Sequence, residues 1–465
     1  MITDLKPHIE YKASRLPWPG QVPAHWGERR MKLVFCERSE KGFPDEPLLA
    51  ATQSKGVVKK EDYGLRTVTA INGLEGLKLV EIGDFVISLR SFQGGIEVSH
   101  ARGIISPAYT VLRPLNGFDP RFFKFYFKSA DFIRSLTLFV TGIREGQNVD
   151  YERLSRAFVP LPPPAEQGAI VRFLDWANGR LEHAIRAKRK VIALLNEQKQ
   201  AIINRAVTLG LDPSVPLKPS GVTWLEDVPA HWDVRQLRNI GRLFKGVGGS
   251  KEDATVAGIP CVRYGELYFH YKNFISHPRG FVSAEVAAGY TPIRFGDVLF
   301  AASGERIEEI GKSAVNLFEE PAVCGGDIVI LRPTIKVHAA FLGYALDSHS
   351  QAYQKATMCR GTTIKHIYPD ELRGLYFCLP PIPEQEAITL KLDDELRSSN
   401  LAVSHLEREI ELLTEYRTRL VADVVIGKLD VREAVAKLPE DISLNATSGE
   451  GFSDDMETLD QEASE

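Results

Sequence analysis

The feature that most constrains this chain is a direct internal repeat. The string VPAHW at 22–26 recurs at 228–232, an offset of 206 residues, and a basic segment follows each copy. Further on, Gly83-Asp84 answers Gly296-Asp297, and Leu112-Arg113-Pro114 answers Leu331-Arg332-Pro333. Phe122 and Phe125 match Phe341 and Tyr344, and Gly142 matches Gly361. The offset grows to 219, so the second copy carries insertions in its early loops. LPPPAEQ at 161–167 and LPPIPEQ at 379–385 close the two copies and open segments of a different character. A duplication on this scale fixes an architecture of two similar heads, each followed by a stalk.

Within the heads, short β-rich runs at 84–89, 109–112, 298–300 and 328–331 are broken by Gly, Pro and Ser, the pattern of strands in a twisted sheet. Residues 121–138 and 339–355 read as helical, and their aromatics (Phe122, Phe125, Tyr126; Phe341, Tyr344) sit three or four apart, as core-facing residues do. The stalks carry heptads. Leu392, Ser399, Leu406, Leu413 and Leu420 recur beside Leu396, Val403, Ile410, Arg417 and Val424. The first stalk repeats the pattern with Leu174, Leu181, Lys188, Leu195 and Ile202 beside Asn178, Ile185, Ile192, Lys199 and Ala206. An apolar seam on so long a helix needs a partner, and a full head between the stalks favours antiparallel pairing.

The expected fold class is therefore α+β: two similar mixed α/β domains joined by two long antiparallel coiled-coil helices, related by a pseudo-two-fold. The expected divisions are a first head at 1–165, a central helix at 166–212, a second head at 213–380, a C-terminal helix at 381–430 and a tail at 431–465. Residues 438–465 hold nine acidic and no basic side chains, which reads as disorder and leaves a body of charge about +5 from a total of −4. A body so mildly basic must bind any nucleic acid through local patches. No apolar run reaches the ~20 residues of a membrane span and no signal peptide is evident, so a cytoplasmic location is expected. Five scattered cysteines without a CxxC pair argue against a disulfide framework or a zinc site and for small buried hydrophobes.

Motifs of catalysis are missing. GERIEEIGKS at 304–313 places six residues between its glycines where a phosphate-cradling loop requires four. No GxSxG, HExxH or HxE with PCxxC occurs, nor an NPPY-like loop. The two VPAHW histidines read as pins for a loop rather than as acids or bases. No catalytic residue, cofactor or metal is assigned to this chain.

Glycine-bearing polar loops recur at equivalent places. The first copy has Arg90, Ser91, Gln93 and Gly94, then Thr141, Arg144, Gln147 and Asn148. The second has Ser303 and Arg306, then Arg360, Thr362, Thr363 and Lys365, with Arg263 and Tyr264 ahead of them. Arg and Lys suit guanine edges, Gln and Asn suit adenine, and hydroxyls suit phosphate, so these are the candidate DNA-binding residues. The bland reading of each is a solvated turn, and recurrence in both heads favours the functional one.

Taken together, VPAHW opening each head, the Gly-Asp strands, the loops at Thr141-Gly142 and 360–363, and the LPPPAEQ and LPPIPEQ stalk entries resemble the specificity subunits of type I restriction-modification systems. The resemblance covers nearly all of the chain except the acidic tail. It implies a non-catalytic, double-stranded-DNA-binding subunit whose heads are target recognition domains, each reading one half of a bipartite asymmetric site, with the helices as the ruler between halves. It also implies two methyltransferase subunits as partners, which bind S-adenosylmethionine and methylate adenine N6, and restriction subunits that use ATP and Mg. The competing readings are a self-sufficient DNA methyltransferase or nuclease, and a coiled-coil scaffold that binds only protein.

Overall fold

The computed structural model describes residues 5–16, 20–63, 73–141, 148–222, 224–249 and 251–439. The chain divides into two compact units: residues 1–187 with 408–465, and residues 188–407. Each unit thus holds one head and a portion of both long helices, Pro164–Leu209 and Ile382–Val425.

In unit 1 the head is built on a four-stranded antiparallel sheet in the order Phe35–Arg38, Thr110–Pro114, Phe85–Ile87, Glu97–Val98. Leu112 lies opposite Glu37 on one side and Phe85 on the other. The inner face meets the helices Pro120–Phe127 and Ala130–Leu136, capped by the Asp119 and Ser129 side chains. Phe35, Phe85, Phe122, Phe123, Tyr126, Phe127 and Phe132 form one buried cluster with Trp26. The expected core role of these aromatics holds for Phe122 and Tyr126, while Phe125 is only partly buried.

Unit 2 repeats the plan. Its sheet runs Gly241–Lys245, Ile328–Pro333, Val298–Ala301, Ser313–Asn316, Phe274–Ile275, and Leu331 faces Leu243 and Val298 in the register Leu112 keeps in unit 1. The helices Ala339–Leu346 and His349–Met358 pack on it. A second sheet, Gly280–Val282, Ile259–Val262, Ala322–Cys324, Thr291–Ile293, accompanies the early-loop insertions read from the drifting offset.

The heptad seams are buried at Leu174, Leu181, Ile185, Lys199 and Ala206 and at Leu392, Leu396, Val403, Leu420 and Val424, and half-buried at their other positions. In unit 1, Phe173, Leu174 and Ala177 of the first long helix share a core with Leu420, Val424 and Val425 of the second, and Glu182 pairs with Arg417 at 3.5 Å, so the two segments run antiparallel. In unit 2, Ile203, Ala206 and Val207 share a core with Ile388, Leu392 and Leu396. Lys199, at a seam position, is 8% exposed, and burial lowers its pKa.

Two expectations need correction. Residues 431–439, assigned to the tail from composition, fold onto unit 1 through a short helix Arg432–Val435, with Val431 and Leu438 only 1% and 7% exposed. Val431 and Leu438 supply the apolar surface that the acidic count overlooked, and residues 440–465 lie outside the described residues. Cys36 is exposed on an edge strand, unlike buried Cys261, Cys324 and Cys378 and half-buried Cys359. Among the described residues, no helix is long and apolar enough to cross a membrane.

Candidate nucleic-acid interface

The strings that define the repeat meet in space. VPAHW precedes the strand Gly27–Arg30, which pairs with Phe158–Leu161, the strand that ends in LPPPAEQ. The Trp26 indole N–H donates to Glu166 Oε1 at 3.0 Å and the His25 ring bonds Glu166 Oε2 at 2.7 Å. Unit 2 has the same clasp: Trp232 and His231 reach Glu384 Oε2 at 2.9 and 2.8 Å, and Asp233–Gln236 pairs with Tyr376–Leu379. The following glutamines complete it. Gln167 accepts from the Asp119 N–H and donates to the Pro162 carbonyl, as Gln385 accepts from the His338 N–H and donates to Pro380. Asp119 and His338 are N-caps of equivalent helices, so each glutamine locks a head helix onto the start of a long helix. Lys12 and Lys218 donate to the carbonyls of Trp26 and Trp232. The histidines are pins, as expected; the carboxylate they pin to was missed.

A second recurrent pair explains the Gly-Asp strings. Gly83 and Gly296 sit at φ +88° and +85°, a left-handed turn that glycine tolerates best. Asp84 Oδ2 then accepts the Glu81 N–H, and Asp297 Oδ2 the Arg294 N–H. Each carboxylate also binds an arginine: Arg38 Nε to Asp84 at 2.7 Å, and Arg332 Nη2 to Asp297 at 2.7 Å. Burial raises the Asp84 pKa against these bonds. The arginines come from different strands. Arg38 lies on the sheet edge, where unit 2 has Phe244, and the Arg332 guanidinium stacks on that Phe244 ring at 5.2 Å.

Most of the polar-loop candidates in unit 2 converge. Ser303–Gly304 pairs antiparallel with Lys365–His366, joining the SGER and RGTTIK loops. Ser303 Oγ meets His366 Nδ1 at 2.9 Å, and the Tyr268 hydroxyl donates to the Ser303 carbonyl at 2.9 Å. Thr362 and Thr363 are exposed at the turn. Lys365 is spent inside the loop: its ammonium donates to the Gly361 and Thr362 carbonyls at 2.9 and 2.8 Å. Gly361 has φ +108°, and a Cβ there would meet the Ile364 carbonyl at 2.1 Å, so this tight turn requires glycine. Arg360 is exposed and paired with Glu371 at 2.7 Å, and exposed Arg306 lies 3.9 Å from Glu309. Tyr264 is exposed at the start of the helix Tyr264–Phe269. Arg263 does not join them, because its Nε and Nη2 are buried, near Cys261 and Tyr290.

In unit 1, Thr141 pairs antiparallel with Asn148, and Arg144 and Gln147 lie outside the described residues. The short helix Ser91–Gly94 packs beside Asn148–Val149, so the two candidate loops of this head also meet. Arg90 and Gln93 are exposed. Ser91 is 1% exposed and accepts the Ser88 N–H at 2.8 Å, so its hydroxyl holds the turn. Gly94 offers its carbonyl to Lys128, which also donates to Gln53 and to buried Glu97. Burial pushes the Glu97 carboxyl up to about 7 despite the ammonium beside it.

This is a tandem two-headed protein whose exposed polar loops are carried on sheets clasped to paired helices. The chain is similar to the specificity subunits of type I restriction enzymes. It is 23% identical over 206 residues to the EcoKI specificity subunit of Escherichia coli K12, covering 43% of this chain and 44% of that one. A putative MjaX specificity subunit of Methanocaldococcus jannaschii is 27% identical over 230 residues, 47% of this chain and 52% of that one. The StySPI specificity subunit of Salmonella potsdam is 22% identical over 206 residues, 43% and 44% of the respective chains. The chain thus spans about half the length of the curated relatives it matches. No family model matches. In fold, a chain solved in work on assembly and conformational transition of the type I R-M system matches with a TM-score of 0.59 at 17% identity, over 88% of this chain and 100% of that one.

Proposed function

We propose that this chain is the sequence-specific, non-catalytic DNA-binding subunit of a type I restriction-modification complex, each head reading one half of a bipartite asymmetric site. The observation that carries the reading is that in each unit two separate glycine-bearing polar loops come together, at Ser303–Gly304 with Lys365–His366 and at Ser91–Gly94 with Asn148–Val149. Exposed arginine, threonine and glutamine side chains on such loops can reach phosphates and base edges. The heads differ in these residues, so the two half-sites differ. Two methyltransferase subunits supply S-adenosylmethionine chemistry at adenine N6, and restriction subunits supply ATP- and Mg-dependent cleavage; no cofactor is assigned to this chain.

The test is methylome sequencing of a host lacking its own methyltransferases that expresses this chain with its partner methyltransferase. Methyladenine at a gapped, asymmetric motif supports the reading. An assembled complex that leaves no such motif favours the protein-binding scaffold.

A further inference from the structure

We propose that His8, His25 and Glu166 form a binding site for a divalent transition-metal ion of the zinc class. Among the described residues these three are the group of His, Cys, Asp and Glu side chains whose donor atoms lie within 4.8 Å of one another. His25 Nε2 is 2.7 Å from Glu166 Oε2, and His8 Nε2 is 3.7 Å from Glu166 Oε1, in contact but beyond a hydrogen bond. The two imidazole centroids are 5.4 Å apart. Two imidazoles and one carboxylate, with a fourth position left to water, is a set that zinc accepts at ~2.0–2.2 Å per ligand.

The surroundings favour an ion over a simple hydrogen-bonded cluster. His8 is 5% exposed, and its Nδ1 is buried without a hydrogen-bond partner. That atom faces Asp430 Oδ2 at 3.8 Å, and Asp430 is itself fixed by the Arg432 backbone N–H and guanidinium. An ion drawing on His8 Nε2 leaves Nδ1–H to donate to Asp430, the carboxylate support that metal-bound histidines usually have. The Trp26 indole occupies Glu166 Oε1, which leaves Oε2 for the ion. The ion takes the place of the proton between His25 and Glu166, and that proton passes to solvent. His25, 40% exposed, provides the entry path.

Unit 2 is the internal contrast. His231 and Trp232 close on Glu384 in the same way, but the position equivalent to His8 is Ser214, whose hydroxyl is held by Asp212 at 2.6 Å. The unit 2 clasp thus lacks a counterpart of His8, which is what unit 1 adds. These ligands are spread over positions 8 to 166, a separation that no local metal-binding motif spans.

Metal-free full-length protein carrying Cys36→Ser, to remove the exposed thiol, is titrated with Co²⁺ followed by visible absorption and with Zn²⁺ by calorimetry. About one ion per chain is expected. His8→Gln should abolish the Co²⁺ spectrum, and Asp430→Asn should weaken binding ~10–100-fold. His231→Gln should change neither. Absence of binding, or one-to-one binding unaltered by His8→Gln, overturns the site. Should the His8 variant not fold by circular dichroism, His25→Gln decides on the same criterion.

Discussion

The indole N–H of Trp26 donates to the carboxylate of Glu166 at 3.0 Å across 140 residues of chain, and the Trp232–Glu384 bond repeats it at 2.9 Å across 152. Each bond ties the opening of a head to the start of a long helix, so one carboxylate orients both. Losing a buried acceptor of this kind costs about 1–3 kcal/mol per stranded donor. Glu166→Ala should therefore destabilise unit 1 more than Glu384→Ala destabilises unit 2, because the Glu166 carboxylate is 6% exposed and that of Glu384 28%. Urea unfolding in EDTA, followed by tryptophan fluorescence, measures the difference. Equal or negligible losses would mean that the clasps are incidental.

The Arg–Asp pairs give a prediction about equivalence between the heads. Arg332 reaches Asp297 from the strand next to the one that bears Phe244, whereas Arg38 reaches Asp84 from the position equivalent to Phe244. Breaking a buried pair by removing one partner costs about 3–5 kcal/mol, and these arginines, 10% and 24% exposed, belong toward the lower end. Arg332→Leu should lower the melting temperature of unit 2, and adding Phe244→Arg should recover part of the loss. No recovery would show that the two heads hold this turn differently.

Glu97 sets a pH dependence. Its folded pKa of about 7 lies above its ordinary 4.5, chiefly through burial. Between those values the folded state holds a proton that the unfolded chain has released, so the contribution is present below about 4.5 and lost as pH rises through about 7. Glu97→Gln mimics the protonated form. The stability of wild type relative to Glu97→Gln should fall as pH rises from 4.5 to 7. A difference independent of pH would contradict the burial of this carboxyl.

Val431, 1% exposed, makes residues 431–439 part of the fold of unit 1. Val431→Ser removes about 1.5–3 kcal/mol of apolar burial. Thermal unfolding should register the loss in unit 1. An unchanged transition would return these residues to the tail.

Where both copies print the same string, the fold was legible: VPAHW, Gly-Asp, the LPPPAEQ and LPPIPEQ entries and the heptads each marked a real junction. What they bind to was not. Glu166 looks like an ordinary first-turn acid until the strand Phe158–Leu161 brings it to Trp26. Ser91 and Lys365 have the composition of DNA readers, yet hydroxyl and ammonium turn inward to backbone groups, a choice that φ/ψ makes and spacing does not. Arg38 and Arg332 reach the equivalent aspartates Asp84 and Asp297 from different strands, which no alignment of the two copies reveals.

The central claim is that each head reads its own half-site. Its most direct test is the methylome of the expressing host when Arg306→Ala and Thr362→Ala are introduced together, both at exposed positions of unit 2. One half of the methylated motif should change while the other half and the gap stay as they were. Simultaneous loss of both halves from an assembled complex, or a motif that does not change, would contradict it.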